Sequence, residues 1–383
     1  MTQPLHPAGH AGAVAGSSLR RAQFLPGLQL CGSFYSEAVR PIIEAELPGL
    51  KYAAALIGDG SEVLGLDDAQ STDHDWGPRL MLFLHEADYR RCAPLIDAAL
   101  RRDLPGQFRG YPTTFRDAID DPGVRVLAEG TTGPVSHGVA VFTPTAYCCE
   151  YLGVDPDGQL AVTDWLTLSE QKLLGFTSGA VYHDEVGLET LRGRFSYYPH
   201  DVWLYLLAAG WTRIGQEEHL VGRAGSVGDE LGSTIIASRL VRDIMRLGFL
   251  MEKHYAPYPK WLGTAFARLH CSHDLLPELR GAMLAETWRR REVCLVRSYE
   301  RLAEMHNRLG VTPALPASAM RFHERPYLVI GARRFSEALL GAVRDPEVLA
   351  LVARPPIGSL DQISDNVDLA SAVEYREALK ALY

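Results

Sequence analysis

The chain has 383 residues and the composition of an ordinary soluble globular protein, with 47% hydrophobic and 22% charged residues. Its formal net charge of −9 argues against a general nucleic-acid binder, and no apolar stretch is long enough to span a membrane. The six cysteines show no Cys-x-x-Cys pair and no Cys/His metal spacing, which favours a reducing cytoplasm.

The first part of the chain predicts a tail followed by mixed helices and strands. Residues 1–25 are rich in Ala, Gly, Ser, Pro and His, which favours a flexible tail. Apolar residues at helical spacing predict helices, and short apolar runs that end at turns predict strands. The helices are predicted over 33–47, 87–102 and 144–152, and the strands over 52–57, 80–84, 124–128 and 138–142.

The second part of the chain is dominated by helical patterns. The composition changes near residues 154–165, and we expect a domain boundary at about residue 160. The sequence therefore predicts an α+β protein, with a mixed sheet and flanking helices over 26–160 and an all-helical domain over 161–383. Helices are predicted over 169–175, 201–211, 229–254, 277–283, 287–309, 332–343 and 368–382.

A glycine-serine turn and two nearby carboxylates form the candidate site. Gly60-Ser61 follows the predicted strand 52–57, and Asp73 and Asp75 stand two residues apart. In an extended segment, residues two apart point to the same side, so we expect these carboxylates to converge. Such a pair suits Mg²⁺ bound together with substrate phosphates, and the turn's backbone N–H groups suit phosphate oxygens. An acidic surface loop is the alternative, because Asp, Gly and Ser are common in turns.

The same residues resemble the motif of the nucleotidyltransferase superfamily. The Gly60-Ser61 turn, a second glycine at Gly65, the pair Asp73 and Asp75, and the apolar run over 80–84 follow its order. An α/β first half and a helical second half are similar to the aminoglycoside-type, small-molecule nucleotidyltransferases. The segment 71–78 also looks like an uncharacterised branch of the superfamily, known mainly as a domain of unknown function.

The resemblance implies Mg²⁺-dependent transfer of a nucleoside monophosphate from a nucleoside triphosphate, with ATP expected, to a hydroxyl or phosphate of a small molecule. Asp73 and Asp75 would hold the metal, and the Gly60-Ser61 backbone would hold the β- and γ-phosphates. The reaction would take place in the cleft between the two domains.

Members of the superfamily commonly carry a third carboxylate on a later strand, as a metal ligand or a general base. The predicted strand 138–142 has none, and Ala140 occupies a position where an acid would be unsurprising. Glu129 is the best substitute for a general base, although it reads equally well as a solvated residue entering a turn. Without a base, the acceptor would need another activator or would itself be a phosphate.

An aromatic and basic cluster over 255–261 supports nucleotide binding. We expect Lys260 to contact a phosphate and Tyr258 or Trp261 to stack on the base, because the helical domain closes over the nucleotide in aminoglycoside-type relatives. The alternative is a corner between two helices, packed by aromatic rings. Lys260 is the residue that such a corner explains least, since an ammonium gains little from packing.

Two other functions remain open at this point. Nucleotidylation of a protein partner would be favoured by a shallow, open acceptor cleft. A catalytically inactive nucleotide-binding module is favoured by the missing third carboxylate. The sequence does not distinguish oligomeric states, and the base preference of the nucleotide is equally open.

Overall fold

A computed structural model of the protein describes residues 24–119, 124–128 and 133–383. The predicted tail over 1–25 therefore lies outside the described residues, except for its last two. These two are packed: the Phe24 ring stacks on Trp76 at a centroid distance of 6.0 Å, and the Leu25 N–H donates to the Tyr111 hydroxyl. The α+β class predicted from the sequence is confirmed.

One four-stranded sheet and three short hairpins contain the strands. Ten strands are found in the described ranges: β1 (Tyr52–Leu56), β2 (Arg79–Leu84), β3 (Gln107–Phe108), β4 (Tyr111–Pro112), β5 (Thr114–Asp117), β6 (Arg125–Ala128), β7 (Gly138–Phe142), β8 (Ala180–Asp184), β9 (Met320–Arg321) and β10 (Leu328–Val329). The main sheet has the order β7-β2-β1-β8. β1 is antiparallel to both neighbours, whereas β2 and β7 are parallel.

Helices precede, connect and follow these strands. In the first half they are α1 (Gly27–Phe34), α2 (Arg40–Glu46), α3 (Glu86–Asp103) and α4 (Pro144–Leu152), with a π-helical segment, Tyr35–Val39, between α1 and α2. α4 shows why its bounds fall where they do. The Thr143 hydroxyl accepts the Ala146 N–H, Pro144 opens the helix, and Gly153 ends it in the left-handed conformation at φ 68°.

The second half contains most of the helices. They are α5 (Val162–Thr167), α6 (Glu170–Thr177), α7 (Leu188–Gly193), α8 (His200–Glu217), α9 (Leu220–Ser226), α10 (Glu230–Met251), α11 (Leu262–Phe266), α12 (Ser272–Leu284), α13 (Trp288–Leu309), α14 (Arg333–Ala342), α15 (Pro346–Val352), α16 (Leu360–Ile363), α17 (Val367–Ser371) and α18 (Arg376–Lys380). Two 3₁₀ turns, Pro259–Trp261 and Val373–Tyr375, complete the set.

The sequence predicted an all-helical region over 161–383, and this prediction is wrong. β8 lies within it and pairs with β1 over Ala53–Leu56, so the main sheet takes strands from both sides of the predicted boundary at residue 160. β9 and β10 form a further hairpin in the same region. The two halves of the chain are therefore joined by main-chain hydrogen bonds between β1 and β8 as well as by side-chain packing.

The core is continuous from the sheet into the helices. Ala53 and Phe83 belong to the same buried cluster as Leu206 of α8 and Leu247 of α10. α8 is the central helix, apolar nearly all round and packed against α10 and α14. Within the described ranges, no helix combines the length and apolar character that crossing a lipid bilayer requires.

Candidate functional site

A cavity of about 520 Å³ opens between one end of the main sheet and the helical half. The sheet side contributes the segment 58–64, the loop 71–75 and Arg79, and the helical side contributes α6, the segment 257–260 and α17. Six described residues that the sequence proposed for the site line this cavity, namely Gly60, Ser61, Asp73, Asp75, Tyr258 and Lys260, whereas Trp261, the alternative stacking residue, does not. The seventh, Glu129, lies outside the described residues. The cavity brings the six together, while their chemical roles stay predictions.

The Gly60-Ser61 turn is held by a buried ion pair that the sequence reasoning missed. An Arg79 guanidinium nitrogen lies 2.6 Å from the Glu62 carboxylate and donates to the Asp59 carbonyl at 2.8 Å. The Glu62 side chain is only 3% exposed. Burial lowers the pKa of Arg79, but the charge and the hydrogen bond of Glu62, together with other nearby acidic groups such as Asp75, outweigh burial and the pKa is raised.

This pair explains why a glycine stands at position 60. Gly60 has φ 138°, and a Cβ there would lie 2.5 Å from an Arg79 nitrogen and 2.7 Å from a Glu62 oxygen. Only a residue without a side chain lets the backbone cross so close to the pair. Among the described residues, the N–H groups of Gly60 and Ser61 donate to no other protein atom. Both donors are therefore unpaired within the described ranges, in a turn that lines the cavity.

The two aspartates reach the cavity by a route that the sequence did not predict. The segment 71–75 consists of turns and bends, so the expected extended geometry is wrong. Asp75 instead adopts φ 44°, where its N–H donates to the Arg125 carbonyl at 2.7 Å and its carboxylate accepts the Arg125 N–H at 3.1 Å. β6 thus fixes Asp75 at the cavity edge. The exposed Asp73 carboxylate lies 2.9 Å from the imidazole of His74, which also lines the cavity.

The donor set fits a divalent cation that arrives together with phosphates. Among the described residues, no group of three or more His, Cys, Asp and Glu side chains is arranged to hold a metal ion. Asp73 and Asp75 nevertheless present two exposed carboxylates to one cavity. Mg²⁺ is usually bound by one or two carboxylates plus substrate phosphates and water. The pair therefore suits Mg²⁺ with a triphosphate and does not form a complete site by itself.

Lys260 faces the acidic loop from the helical side. Its ammonium lies 4.9 Å from the Trp261 ring centroid and is exposed. The pKa of Asp68 is lowered mainly by the N–H groups of Gln70 and Ser71, and the charge of Lys260 lowers it further. Arg268 crosses the same gap and donates to the Gly65 carbonyl at 3.0 Å. The two halves thus meet across the cavity with positive charge on the helical side.

A second polar group at the cavity wall was also missed by the sequence analysis. The Tyr151 hydroxyl donates to the Asp59 carboxylate at 2.9 Å, and the Lys172 ammonium lies 4.1 Å from the Tyr151 ring centroid. Burial raises the pKa of Tyr151, and the charge of Asp59 raises it further. The only sequence signal for this group is the position of Asp59 at the end of β1.

Buried Glu170 ties α6 to the segment that carries Tyr258 and Lys260. Its carboxylate accepts the Ala256 N–H at 2.6 Å, and its own N–H donates to the buried Asp361 carboxylate at 2.8 Å. Burial and the nearby charge of Asp361 raise the pKa of Glu170 to about 7. The protonated form of Glu170 is therefore the one that the fold favours.

A pH dependence of stability follows from Glu170. Because its pKa is raised in the folded state, its stabilising contribution is complete below about pH 4.5 and is lost as the pH rises towards 7. Glu170→Gln keeps an acceptor for the Ala256 N–H and cannot ionise. We expect the free energy of unfolding of this variant, relative to that of wild type, to rise by at least about 1 kcal/mol between pH 5 and pH 7.5.

Urea unfolding at the two pH values measures this difference. Glu337→Gln is the matched control, because the Glu337 side chain is 60% exposed and pairs, among the described residues, only with Arg333. An equal pH response of wild type and Glu170→Gln would show that Glu170 does not titrate in the fold.

Comparison with known proteins gives one partial match. A family model described as "Domain of unknown function (DUF4037)" matches residues 165–262, about a quarter of the chain. The matched range includes α6 and the segment 257–260, which line the helical side of the cavity together with α17, and does not include α17, Gly60, Ser61, Asp73 or Asp75. The chain matches no curated protein and no solved structure. The family description states no activity.

Proposed function

We propose that the protein is an enzyme that transfers a nucleoside monophosphate from a nucleoside triphosphate, with ATP expected, to a small molecule in a Mg²⁺-dependent reaction. One observation carries the proposal. Three segments far apart in the sequence, 60–61, 73–75 and 258–260, line a single cavity of about 520 Å³. Phosphate-binding N–H groups, cation-binding carboxylates and a lysine are the groups that such a transfer requires.

Each part of the cavity has a role in this proposal. The N–H groups of Gly60 and Ser61 bind the β- and γ-phosphates, and Lys260 balances their charge from the opposite wall. Tyr258 stacks on the base. Asp73 and Asp75 would hold Mg²⁺, which neutralises charge on the phosphates when bound. The acceptor oxygen forms a bond to the α-phosphorus, and the bond to the β-phosphate oxygen breaks as pyrophosphate leaves.

We infer a small acceptor rather than a protein from the volume of the cavity, which is partly open to solvent. α17 borders the side that faces the C-terminal region, where the Gln171 amide donates to the Ser371 hydroxyl at 2.8 Å. The six cysteines are free, which supports the cytoplasmic location that we propose for the reaction.

A catalytically inactive nucleotide-binding module is the second candidate, and Ala140 favours it. Ala140 pairs in register with Met81 on the neighbouring strand, so β7 brings no carboxylate to the position where the superfamily commonly has one. Glu129, which the sequence proposed as the base, remains a prediction. Glu129→Gln should abolish turnover and spare nucleotide binding if Glu129 acts as the base.

Product analysis tests the proposal directly. The full chain would be incubated with labelled nucleoside triphosphates, Mg²⁺ and a metabolite pool, and a nucleotidylated product would be sought by mass. A product that requires Mg²⁺ and the wild-type aspartates supports transfer. ATP binding without any product would favour the inactive module, and the lack of Mg²⁺-dependent ATP binding would refute both.

Lys260→Ala should weaken binding of ATP by about tenfold and hardly change binding of AMP, because a charged contact to the terminal phosphates is lost. Titration calorimetry with both nucleotides measures the difference. Lys253→Ala is the matched control, since Lys253 also lies over a tryptophan, 4.3 Å from the Trp203 centroid, but does not line the cavity. An equal loss of affinity for ATP and AMP would show that Lys260 acts through packing and does not contact the terminal phosphates.

A further inference from the structure

A second cavity, of about 290 Å³, adjoins the first and shares Asp59, Asp75 and Arg79 with it. Beyond these residues it extends over the β2 and β7 side of the sheet, towards α4 and the β5-β6 hairpin. The site proposed above makes no use of this space. We call it the aromatic chamber, since four aromatic side chains line it: Phe115, Phe142, Tyr147 and Tyr151.

The aromatic walls are held in place by close packing. The Tyr147 and Tyr151 rings, one turn apart on α4, stack at 5.3 Å with an interplanar angle of 11°. Phe115 lies against the backbone of Gly138, where a Cβ would come within 2.6 Å of its ring. A preformed cavity with flat, rigid walls is the kind of site that binds a small aromatic ring.

Arg125 places a guanidinium at the aromatic chamber, whose lining also includes the carboxylates of Asp59 and Asp75. The Arg125 guanidinium lies 5.1 Å from the Phe115 ring centroid, and one nitrogen donates to the His137 carbonyl at 3.4 Å. Among the described residues, it forms no ion pair with a carboxylate. Arg79, the other guanidinium at the chamber, is already paired with Glu62. A guanidinium beside an aromatic cavity suits an aromatic ligand that carries a carboxylate or a phosphate.

Ala140 bears on how such a ligand would react. It lies exposed on β7 and lines the aromatic chamber, so this strand supplies no base to remove a proton from an acceptor hydroxyl. An oxygen that is already ionised needs no base. Displacement at phosphorus also places the attacking and leaving oxygens roughly in line. With the triphosphate in the first cavity, the adjoining chamber, which shares Asp75 with it, offers an approach to the α-phosphorus.

We propose that the aromatic chamber binds the acceptor, and that the acceptor is a small aromatic molecule with an anionic oxygen, a carboxylate or a phosphate. The inference rests on the proposed function. The acceptor oxygen forms a new bond to the α-phosphorus, the bond between the α-phosphorus and the bridging oxygen breaks, and that electron pair leaves with pyrophosphate. No proton is transferred, so the step balances without a general base.

Binding to the full chain tests this proposal without requiring turnover. The probes are benzoate, phenyl phosphate and the neutral benzyl alcohol, titrated and followed by ligand-observed NMR. We expect benzoate or phenyl phosphate to bind at least about tenfold more tightly than benzyl alcohol, as one charged contact predicts. The tighter of the two anions identifies the reacting group. Equal binding of all three probes would overturn the assignment.

Two variants locate the binding site. Ala140→Leu fills the aromatic chamber and should weaken binding of the anionic probe more than tenfold. Arg125→Gln should remove the preference for an anionic over a neutral probe. Arg116→Gln is the matched control, since Arg116 is exposed on the adjacent strand and lines neither cavity. Melting temperatures check the fold, and Ala140→Val serves if Ala140→Leu is unstable. Unchanged binding in the folded position-140 variant would overturn the chamber assignment.

Affinity for Mg²⁺ and ATP, measured on the same samples, separates this inference from the proposed function. Wild-type protein that binds ATP with Mg²⁺ but shows no preference for the anionic probes would refute the acceptor site alone. Wild-type protein that binds benzoate in an Ala140-dependent way but binds no ATP would refute the nucleotidyl transfer and, with it, the acceptor role of the chamber.

Discussion

Asp75→Asn is expected to weaken Mg²⁺-dependent binding of ATP by more than about 100-fold, while the protein stays folded. Loss of groups that only support a metal ligand already costs about 10- to 100-fold in metal affinity, and here a ligand itself is removed. Asn suits the position because it tolerates φ 44° and its carbonyl oxygen can still accept the Arg125 N–H. Titration of ATP with and without Mg²⁺ measures the effect.

Asp73→Asn should also weaken Mg²⁺-dependent binding of ATP, since Asp73 is the second proposed Mg²⁺ ligand. Asp68→Asn is the matched control in the same loop. The Asp68 carboxylate accepts the N–H groups of Gln70 and Ser71 and does not line the cavity, and Asn can replace it as an acceptor. If both Asp73→Asn and Asp75→Asn bound ATP with unchanged dependence on Mg²⁺, the ligand assignment would be wrong.

Helices and strands whose apolar pattern and end residues are all encoded locally were predicted closely from the sequence. The predicted strand 80–84 corresponds to β2 (Arg79–Leu84), and the predicted helix 287–309 corresponds to α13 (Trp288–Leu309). In α13 the Thr287 hydroxyl accepts the Arg290 N–H, and Gly310 ends the helix at φ 66°. Such signals depend on neighbouring residues alone, so a single sequence contains them.

Features that depend on distant parts of the chain were missed. β8 is an edge strand whose five residues are all half-buried, so it has neither an apolar run nor an alternating pattern. The predicted single helix over 368–382 divides into α17, a 3₁₀ turn and α18. The buried Arg376 of α18 donates to the Leu152 carbonyl of α4, more than 200 residues away in the chain. Neither pairing can be inferred from local composition.

The candidate site combines both kinds of information. The sequence identified residues that line one cavity, because the Gly60-Ser61 turn and the Asp73 and Asp75 pair stand out by type and spacing. The extended geometry from which we expected the two carboxylates to converge is wrong, since a turn held by Arg125 replaces it, and the structure shows only that both residues line the cavity. The pairing of Glu62 with Arg79, 17 residues apart, becomes visible only in the folded chain.

Glu62→Gln is expected to lower the free energy of unfolding by about 2 kcal/mol, more than the loss of a surface pair costs. Removal of one partner from a fully buried ion pair typically costs about 3–5 kcal/mol, and the cost is smaller here because the Arg79 side chain is 23% exposed. The Glu62 side chain is 3% exposed; the glutamine oxygen can still accept from Arg79, but the negative charge that compensates the guanidinium is lost. Urea unfolding at pH 7 measures the change.

A surface ion pair supplies the matched control for Glu62→Gln. Glu44→Gln makes the same chemical change, but Arg40 and Glu44 are 52% and 57% exposed, and such pairs contribute only about 0–1 kcal/mol. The double variant Glu62→Gln/Arg79→Met should recover part of the lost stability, because no uncompensated charge remains. Since Gly60 crosses directly over this pair, Glu62→Gln should also weaken ATP binding, whereas Glu44→Gln should not. Equal destabilisation by the two Gln variants would mean that water reaches the Glu62–Arg79 pair and that it does not fix the turn.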